Sequence, residues 1–333
     1  MSQRPPPNPV ALATAIRGGD RRALARGITI AESAREDHRA AAEALLGILL
    51  EVPSPSTRLG VSGVPGVGKS TLIEAFGLHL VKEGHRVAVL AIDPSSRRSG
   101  GSILGDKTRM AELARSHSAF IRPSPAGATL GGVARRTRET MLLCEAAGFD
   151  VVIIETVGIG QSETAVADMV DMFVLLLLPG GGDELQGIKK GAVELADLIL
   201  VNKADGEFRD AARRAVADYR NAIRLIRPAS PDWRAEVAAV SAQTGAGIAE
   251  TWQTVGRYCA LMQQSGAFAA RRAAQARAAL WNEIGEVLLE RLKRSPRLAL
   301  HLPSIEAEVA AGHAAPSAAA RRLLTLFLGE EPS

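Results

Sequence analysis

The residues with the most chemistry in the shortest length are Gly63-Val64-Pro65-Gly66-Val67-Gly68-Lys69-Ser70, followed by Thr71. They fit the phosphate-loop spacing Gly-x4-Gly-Lys-Ser/Thr. Glycines at those places let the backbone turn its amides inward around phosphate oxygens. Lys69 is expected against the β- and γ-phosphates, and the Ser70 hydroxyl on Mg²⁺. The helix that should start here adds the positive end of its dipole.

A second group is Asn202-Lys203-Ala204-Asp205, which fits Asn-Lys-x-Asp. The Asp205 carboxylate can accept two hydrogen bonds, from guanine N1–H and the 2-amino group. Adenine offers neither, and binding it would strand a desolvated carboxylate at a loss of roughly 2–4 kcal/mol. The aliphatic stem of Lys203 can cover one base face, and Asn202 can tie the loop to neighbouring backbone. Ser241-Ala242-Gln243 follows a later apolar run and is expected to bring backbone amides to the guanine O6. The spacing therefore favours GTP over ATP.

Three acids, Asp93, Asp106 and Glu155, stand at strand ends or in the loops beside them. Mg²⁺ bound to phosphates takes only one or two protein ligands directly, so these acids can serve it through water or position the nucleophile. With Lys69 they form the expected catalytic set, and with Ser70 the expected metal set. Glu155-Thr156-Val157-Gly158 occupies the place of an Asp-x-x-Gly motif, with Gly158 as the γ-phosphate sensor. Ile159 stands where Ras-type GTPases place a water-orienting Gln, which predicts slow unassisted hydrolysis. Gln161 is two positions late, and Lys107, Arg109 and Lys189 are candidate transition-state cations. Two glycine-rich loops, Pro94 to Thr108 and Pro179 to Lys190, read as switches.

These residues must be held by an alternation of strands and helices. Arg58–Ser62, Val87–Ile92, Val151–Ile154, Met172–Leu178, Leu198–Val201 and Val237–Val240 are near-continuous apolar runs, as in strands covered on both faces. Helical patterns separate them, starting with Thr71–Lys82. The expected fold is α/β: a P-loop NTPase with a mostly parallel sheet covered by helices. The polar residues named above sit at the strands' carboxyl ends, where open α/β sheets bind ligands. Residues 1–54 read as a tail and two or three helices, 55–264 as the nucleotide domain, and 265–333 as a helical extension that makes a dimer contact.

Across the 333 residues, 47% hydrophobic, 23% charged and a net charge of +4 describe an ordinary globular chain. Aromatics are only 4%, and no basic stripe interleaves with them, which argues against a nucleic-acid partner. The pairs Arg21-Arg22, Arg135-Arg136 and Arg271-Arg272 read as solvated helix faces. Cys144 and Cys259 are single thiols in apolar helical patterns, with no disulfide framework or metal knuckle. The longest apolar run, Phe173 to Leu178, is too short to span a bilayer, and Met1 to Pro9 lacks a secretory pattern, so a cytoplasmic protein is expected.

Taken together, Asp93-Pro94-Ser95-Ser96, the run Ser99 to Met110, Glu155-Thr156-Val157-Gly158 with Gln161-Ser162-Glu163, and the run Gly182 to Gly191 resemble the MeaB/ArgK family. The likeness covers residues 10–260. It implies a homodimeric GTPase serving adenosylcobalamin-dependent methylmalonyl-CoA mutase, gating delivery of the cofactor and protecting the enzyme. The mutase in turn stimulates GTP hydrolysis. It also implies a switch in Gly182–Gly191, with Gln186 and Lys189 as its residues, and GTP/GDP with Mg²⁺ as the bound species, with no tightly held organic cofactor.

Two other functions fit parts of the pattern. A metal-insertion GTPase for hydrogenase or urease would need a His-rich or Cys-based relay, whereas the six histidines are scattered. A small-molecule kinase or ligase using ATP is opposed by Asn202-Lys203-x-Asp205.

Overall fold

The computed structural model describes residues 7–33, 35–92, 110–124, 130–156, 162–180, 190–226, 228 and 230–329. In chain order the elements are α1 Pro9–Arg17, α2 Arg21–Ala31, α3 Glu36–Leu50, β1 Thr57–Gly63, α4 Lys69–Lys82, β2 Val87–Ile92, α5 Ala111–Arg115, β3 Ala119–Ser124, α6 Leu130–Ala146, β4 Val151–Thr156, α7 Ser162–Ala167, β5 Met172–Leu177, α8 Lys190–Leu195, β6 Leu198–Val201, α9 Arg209–Arg224, β7 Glu236–Ala239, α10 Ile248–Gln264, α11 Ala267–Lys293, α12 Pro296–Ala299, α13 Leu302–Ala310 and α14 Pro316–Leu328.

The strands form a seven-stranded sheet in the order β3-β2-β4-β1-β5-β6-β7, every pair parallel. The expected apolar runs are its strands, and β2, β4 and β5 are buried along their whole length. β3 is not among the expected apolar runs. Its Arg122 and Pro123 blur the apolar pattern, and its place at the sheet edge explains why a proline is tolerated there.

Alternation splits the core into two layers. Val152, Ile154, Phe173 and Leu175 face a layer that includes α6 and α7 and takes in Ile16, Leu24, Ile28 and Leu45 of the N-terminal helices. Leu59, Val61, Val151, Ile153 and Val174 face the other, with Leu72, Ile73 and Phe76 of α4 and Val255 and Tyr258 of α10. The three N-terminal helices are thus part of the main core. Two of them are capped from the sequence: Asn8 Oδ1 accepts from Val10 N at 2.9 Å and Asp20 Oδ1 from Arg22 N at 2.8 Å.

The chain forms two compact units, residues 1–275 and 276–333. The second is helical, with Leu298, Ile305 and Ala319 buried. It leaves large apolar side chains exposed, including Trp281 at 71%, Leu280 at 59% and Leu288 at 52%. No helix among the described residues is long and apolar enough to cross a membrane.

Candidate functional site

The phosphate loop runs from the end of β1 into α4, as the spacing requires. Gly63 has φ +153, and a Cβ there would stand 2.5 Å from the Leu176 carbonyl oxygen. Gly68 has φ +95, and a Cβ would meet Asn202 Nδ2 at 2.7 Å. Both positions therefore need glycine for conformation and for space. Val67 is fully buried and pins the middle of the loop, while Pro65, Gly66 and Thr71 are exposed. The Lys69 ammonium lies inside the loop, donating to the carbonyls of Gly63 at 2.7 Å and Val64 at 3.2 Å. An anionic phosphate oxygen is a stronger acceptor than either carbonyl.

The base loop is bonded directly to the phosphate loop. Asn202 Nδ2 donates to the Val67 carbonyl at 2.8 Å, and Asn202 Oδ1 accepts from Ala242 N at 3.3 Å. Lys203 Nζ donates to the Gly66 carbonyl at 3.0 Å, which stretches its stem across the gap between the two loops. Lys203 has φ +58, alone in this among the described non-glycine residues. A left-handed lysine is a strained choice kept where surrounding structure over-determines it, as at ligand sites. Asp205 accepts from the Ser241 hydroxyl, which itself accepts from Thr244 N at 3.1 Å. Gln243 is exposed in the same turn. The structure thus brings Asn202, Lys203, Asp205, Ser241, Ala242 and Gln243 together beside the phosphate loop. The Gly66 carbonyl as the Lys203 partner had no signal in the sequence.

Glu155 is buried in the last turn of pleat of β4, and Oε1 accepts from Ser70 Oγ at 2.8 Å. A hydroxyl and a carboxylate side by side are hard oxygen donors of the kind Mg²⁺ takes. The remaining predicted residues, Asp93, Asp106, Gly158, Gln186 and Lys189, lie outside the described residues, as do Lys107, Arg109 and Gln161.

The opposite, amino edge of the sheet corrects one expectation. Arg271 and Arg272 are not a solvated face. Arg272 clasps the Asp171 carboxylate through Nε at 2.8 Å and Nη2 at 2.7 Å, and Arg271 Nη2 reaches Asp197 at 3.2 Å. Asp171 and Asp197 precede β5 and β6 and are buried, and each also accepts a backbone amide, from Arg58 and Phe173 respectively. Burial pushes the Asp197 carboxyl above the usual carboxylate range, with Arg271 pulling the other way. For Arg271, burial opposes the charge, yet Asp197 and Tyr258 outweigh it and raise its pKa. Without the arginines these acids would be buried charges with no counter-ion.

A family model described as "Methylmalonyl Co-A mutase-associated GTPase MeaB" matches residues 24–297. A "Putative GTPase" of Caulobacter vibrioides is 57% identical over 309 residues, covering 93% of this chain and 94% of the relative. The "Methylmalonic aciduria type A homolog, mitochondrial" of Mus musculus is 49% identical over 326 residues, covering 95% and 79%. A solved structure described as "LAO/AO transport system kinase" superposes with a TM-score of 0.76 at 36% identity, covering 96% of this chain and 97% of that one.

Proposed function

The chain belongs to the methylmalonyl Co-A mutase-associated GTPase family MeaB, and from that premise we propose that it is a GTP-hydrolysing chaperone of adenosylcobalamin-dependent methylmalonyl-CoA mutase. In this reading it gates cofactor delivery and protects the mutase, hydrolyses GTP to GDP and phosphate slowly alone, and is stimulated by the mutase. It works in the cytoplasm and holds no tightly bound organic cofactor.

One observation carries the nucleotide half of this reading. The loop that reads guanine is hydrogen-bonded through Asn202 to the carbonyl of Val67 in the loop that holds phosphate. Base identity and phosphate grip are therefore set by one connected piece of backbone. Asp205, oriented by Ser241, offers its carboxylate to a purine carrying two adjacent N–H donors. Lys69 takes the phosphate charge in place of its two carbonyls. Ser70 and Glu155 would hold Mg²⁺, which when bound neutralises charge on the phosphates. Glu155, anchored by Ser70 on the α4 side, keeps its carboxylate beside the phosphate loop. Asp93 and Asp106 complete the acid set, and Gln186 and Lys189 report the nucleotide state to the partner.

The partner half rests on family membership. Exposed Leu280, Trp281 and Leu288 on α11 support a homodimer, because a second copy of the chain would remove that apolar surface from water. The deciding experiment is steady-state GTP hydrolysis, alone and with increasing methylmalonyl-CoA mutase. A slow basal rate that rises saturably with mutase is the expected result. A rate indifferent to mutase would keep the GTPase and remove the partner.

A further inference from the structure

Two buried hydroxyls lie beside the phosphate loop and bond to one another. Ser62, in β1 just before the phosphate loop, and Thr156, the last residue of β4, are both fully buried. Thr156 Oγ1 donates to Ser62 Oγ at 2.8 Å, and Ser62 Oγ donates to Glu163 Oε1 in the first turn of α7 at 3.5 Å. The direction of this chain follows from its end. A carboxylate only accepts, so Ser62 spends its proton on Glu163 and accepts the proton of Thr156.

The buried stretches of these strands include Leu59, Val61 and Val151 to Ile154, and apolar side chains at both places would leave no polar group to satisfy. Strand alternation places the pair on a particular side. Val151 and Ile153 share the α4 layer, so Glu155 points to α4, where it meets Ser70. Val152 and Ile154 share the other layer, so Thr156 points away from α4. Gly60 also faces that second layer, since a Cβ there would stand 2.8 Å from Val166, one turn along α7 from Glu163. Ser62, two residues on, faces the same way. The end of β4 is thus held from both faces: Glu155 by Ser70 on one, Thr156 by Ser62 on the other. Backbone pairing with β1 and β2 already sets which way this strand faces, and the two side-chain bonds hold the aim of its last two side chains.

We propose that Thr156, Ser62 and Glu163 are positioning residues for GTP hydrolysis, tightening the end of β4 beyond what its backbone pairing does, so that the Glu155 carboxylate stays aimed at Ser70. This rests on the GTPase reading above. The Glu163 link is the longest and contributes least; the Thr156–Ser62 bond is the part that matters most.

The test uses the full-length protein with GTP and Mg²⁺. Single-turnover hydrolysis, GTP affinity and melting temperature are measured for wild type, Thr156→Val, which keeps the shape and loses the hydroxyl, and Thr156→Ser, which keeps the hydroxyl. Thr156→Val is expected to slow the chemical step about tenfold, the scale of an orienting hydrogen bond, with affinity and melting temperature unchanged. Thr156→Ser is expected to recover most of the rate. Should Thr156→Val fail to fold, Ser62→Ala carries the same expectation for rate and affinity, with a lowered melting temperature because the buried Thr156 hydroxyl loses its acceptor. A wild-type rate in the hydroxyl-free variants overturns the proposal, and so does a loss shared equally by rate, affinity and stability. A wild-type protein inert toward GTP overturns the parent reading and this one with it.

Discussion

At the carboxyl edge of the sheet Lys69 donates to two backbone carbonyls, while Glu155 and Asp205 accept from the hydroxyls of Ser70 and Ser241. At the amino edge Asp171 and Asp197 face the guanidinium groups of Arg272 and Arg271. The same strands connect the two edges, and both carry buried acids. The difference lies in how readily the observed partners exchange. Carbonyls and hydroxyls yield to a phosphate, a metal ion or a guanine edge, each of which binds the charged group more strongly. A bidentate guanidinium on a buried carboxylate has no such competitor, and removing the guanidinium leaves a buried carboxylate stranded. One edge therefore holds its charges for a ligand, and the other holds them for the fold.

Substitutions at the two edges should separate along those lines. Lys69→Ala should have the largest effect, cutting nucleotide affinity or turnover on the order of 10³-fold or more while leaving the melting temperature near wild type. A melting temperature that collapses with it would break the comparison. Arg272→Ala should do the reverse, lowering stability by about 3–5 kcal/mol in a denaturant titration through the unpaired Asp171, with guanine-nucleotide affinity of the folded fraction retained. Asp205→Asn should cost roughly 2–4 kcal/mol of GTP binding and admit xanthosine triphosphate, whose 2-oxo group suits an amide donor. Equal GTP affinity in a competition assay would remove Asp205 from the base pocket. Asp197→Asn should have the smallest effect, within about 1 kcal/mol of wild-type stability. The neutral amide avoids the burial cost that raises this carboxyl's pKa, still accepts from Phe173 N, and leaves Arg271 within reach of solvent. A loss as large as that of Arg272→Ala would show that the ion pair at Asp197 stabilises more than its desolvation costs.

The carboxyl edge was legible in the sequence because its residues are contiguous. Gly63 to Thr71 and Asn202 to Asp205 each place several functional groups within one turn of backbone, and the flanking apolar runs locate those turns at strand ends. The amino edge was not legible, because its pairs are distant along the chain. Arg272 meets Asp171 across 101 residues and Arg271 meets Asp197 across 74, so nothing in local spacing distinguishes these arginines from a solvated face. The relay of Thr156, Ser62 and Glu163 lies between these cases. Each residue falls inside or next to a recognisable motif, but only strand pairing, with Val61 opposite Glu155, sets Ser62 beside Thr156. The strand β3 was hidden by Arg122 and Pro123, which an edge strand can carry and a central one cannot.

The opposite facing of Glu155 and Thr156 has a consequence for changes in chain length. Four apolar residues, Val151, Val152, Ile153 and Ile154, precede them, and exchanging one for another of similar size alters packing by a modest amount. Deleting one of the four shifts everything after it to the other face of the sheet. The carboxylate would then turn toward α7 and the hydroxyl toward Ser70, losing both anchors in a single event. β4 should therefore tolerate substitution far better than insertion or deletion, and a one-residue deletion variant is expected to fold, if at all, without turning over GTP.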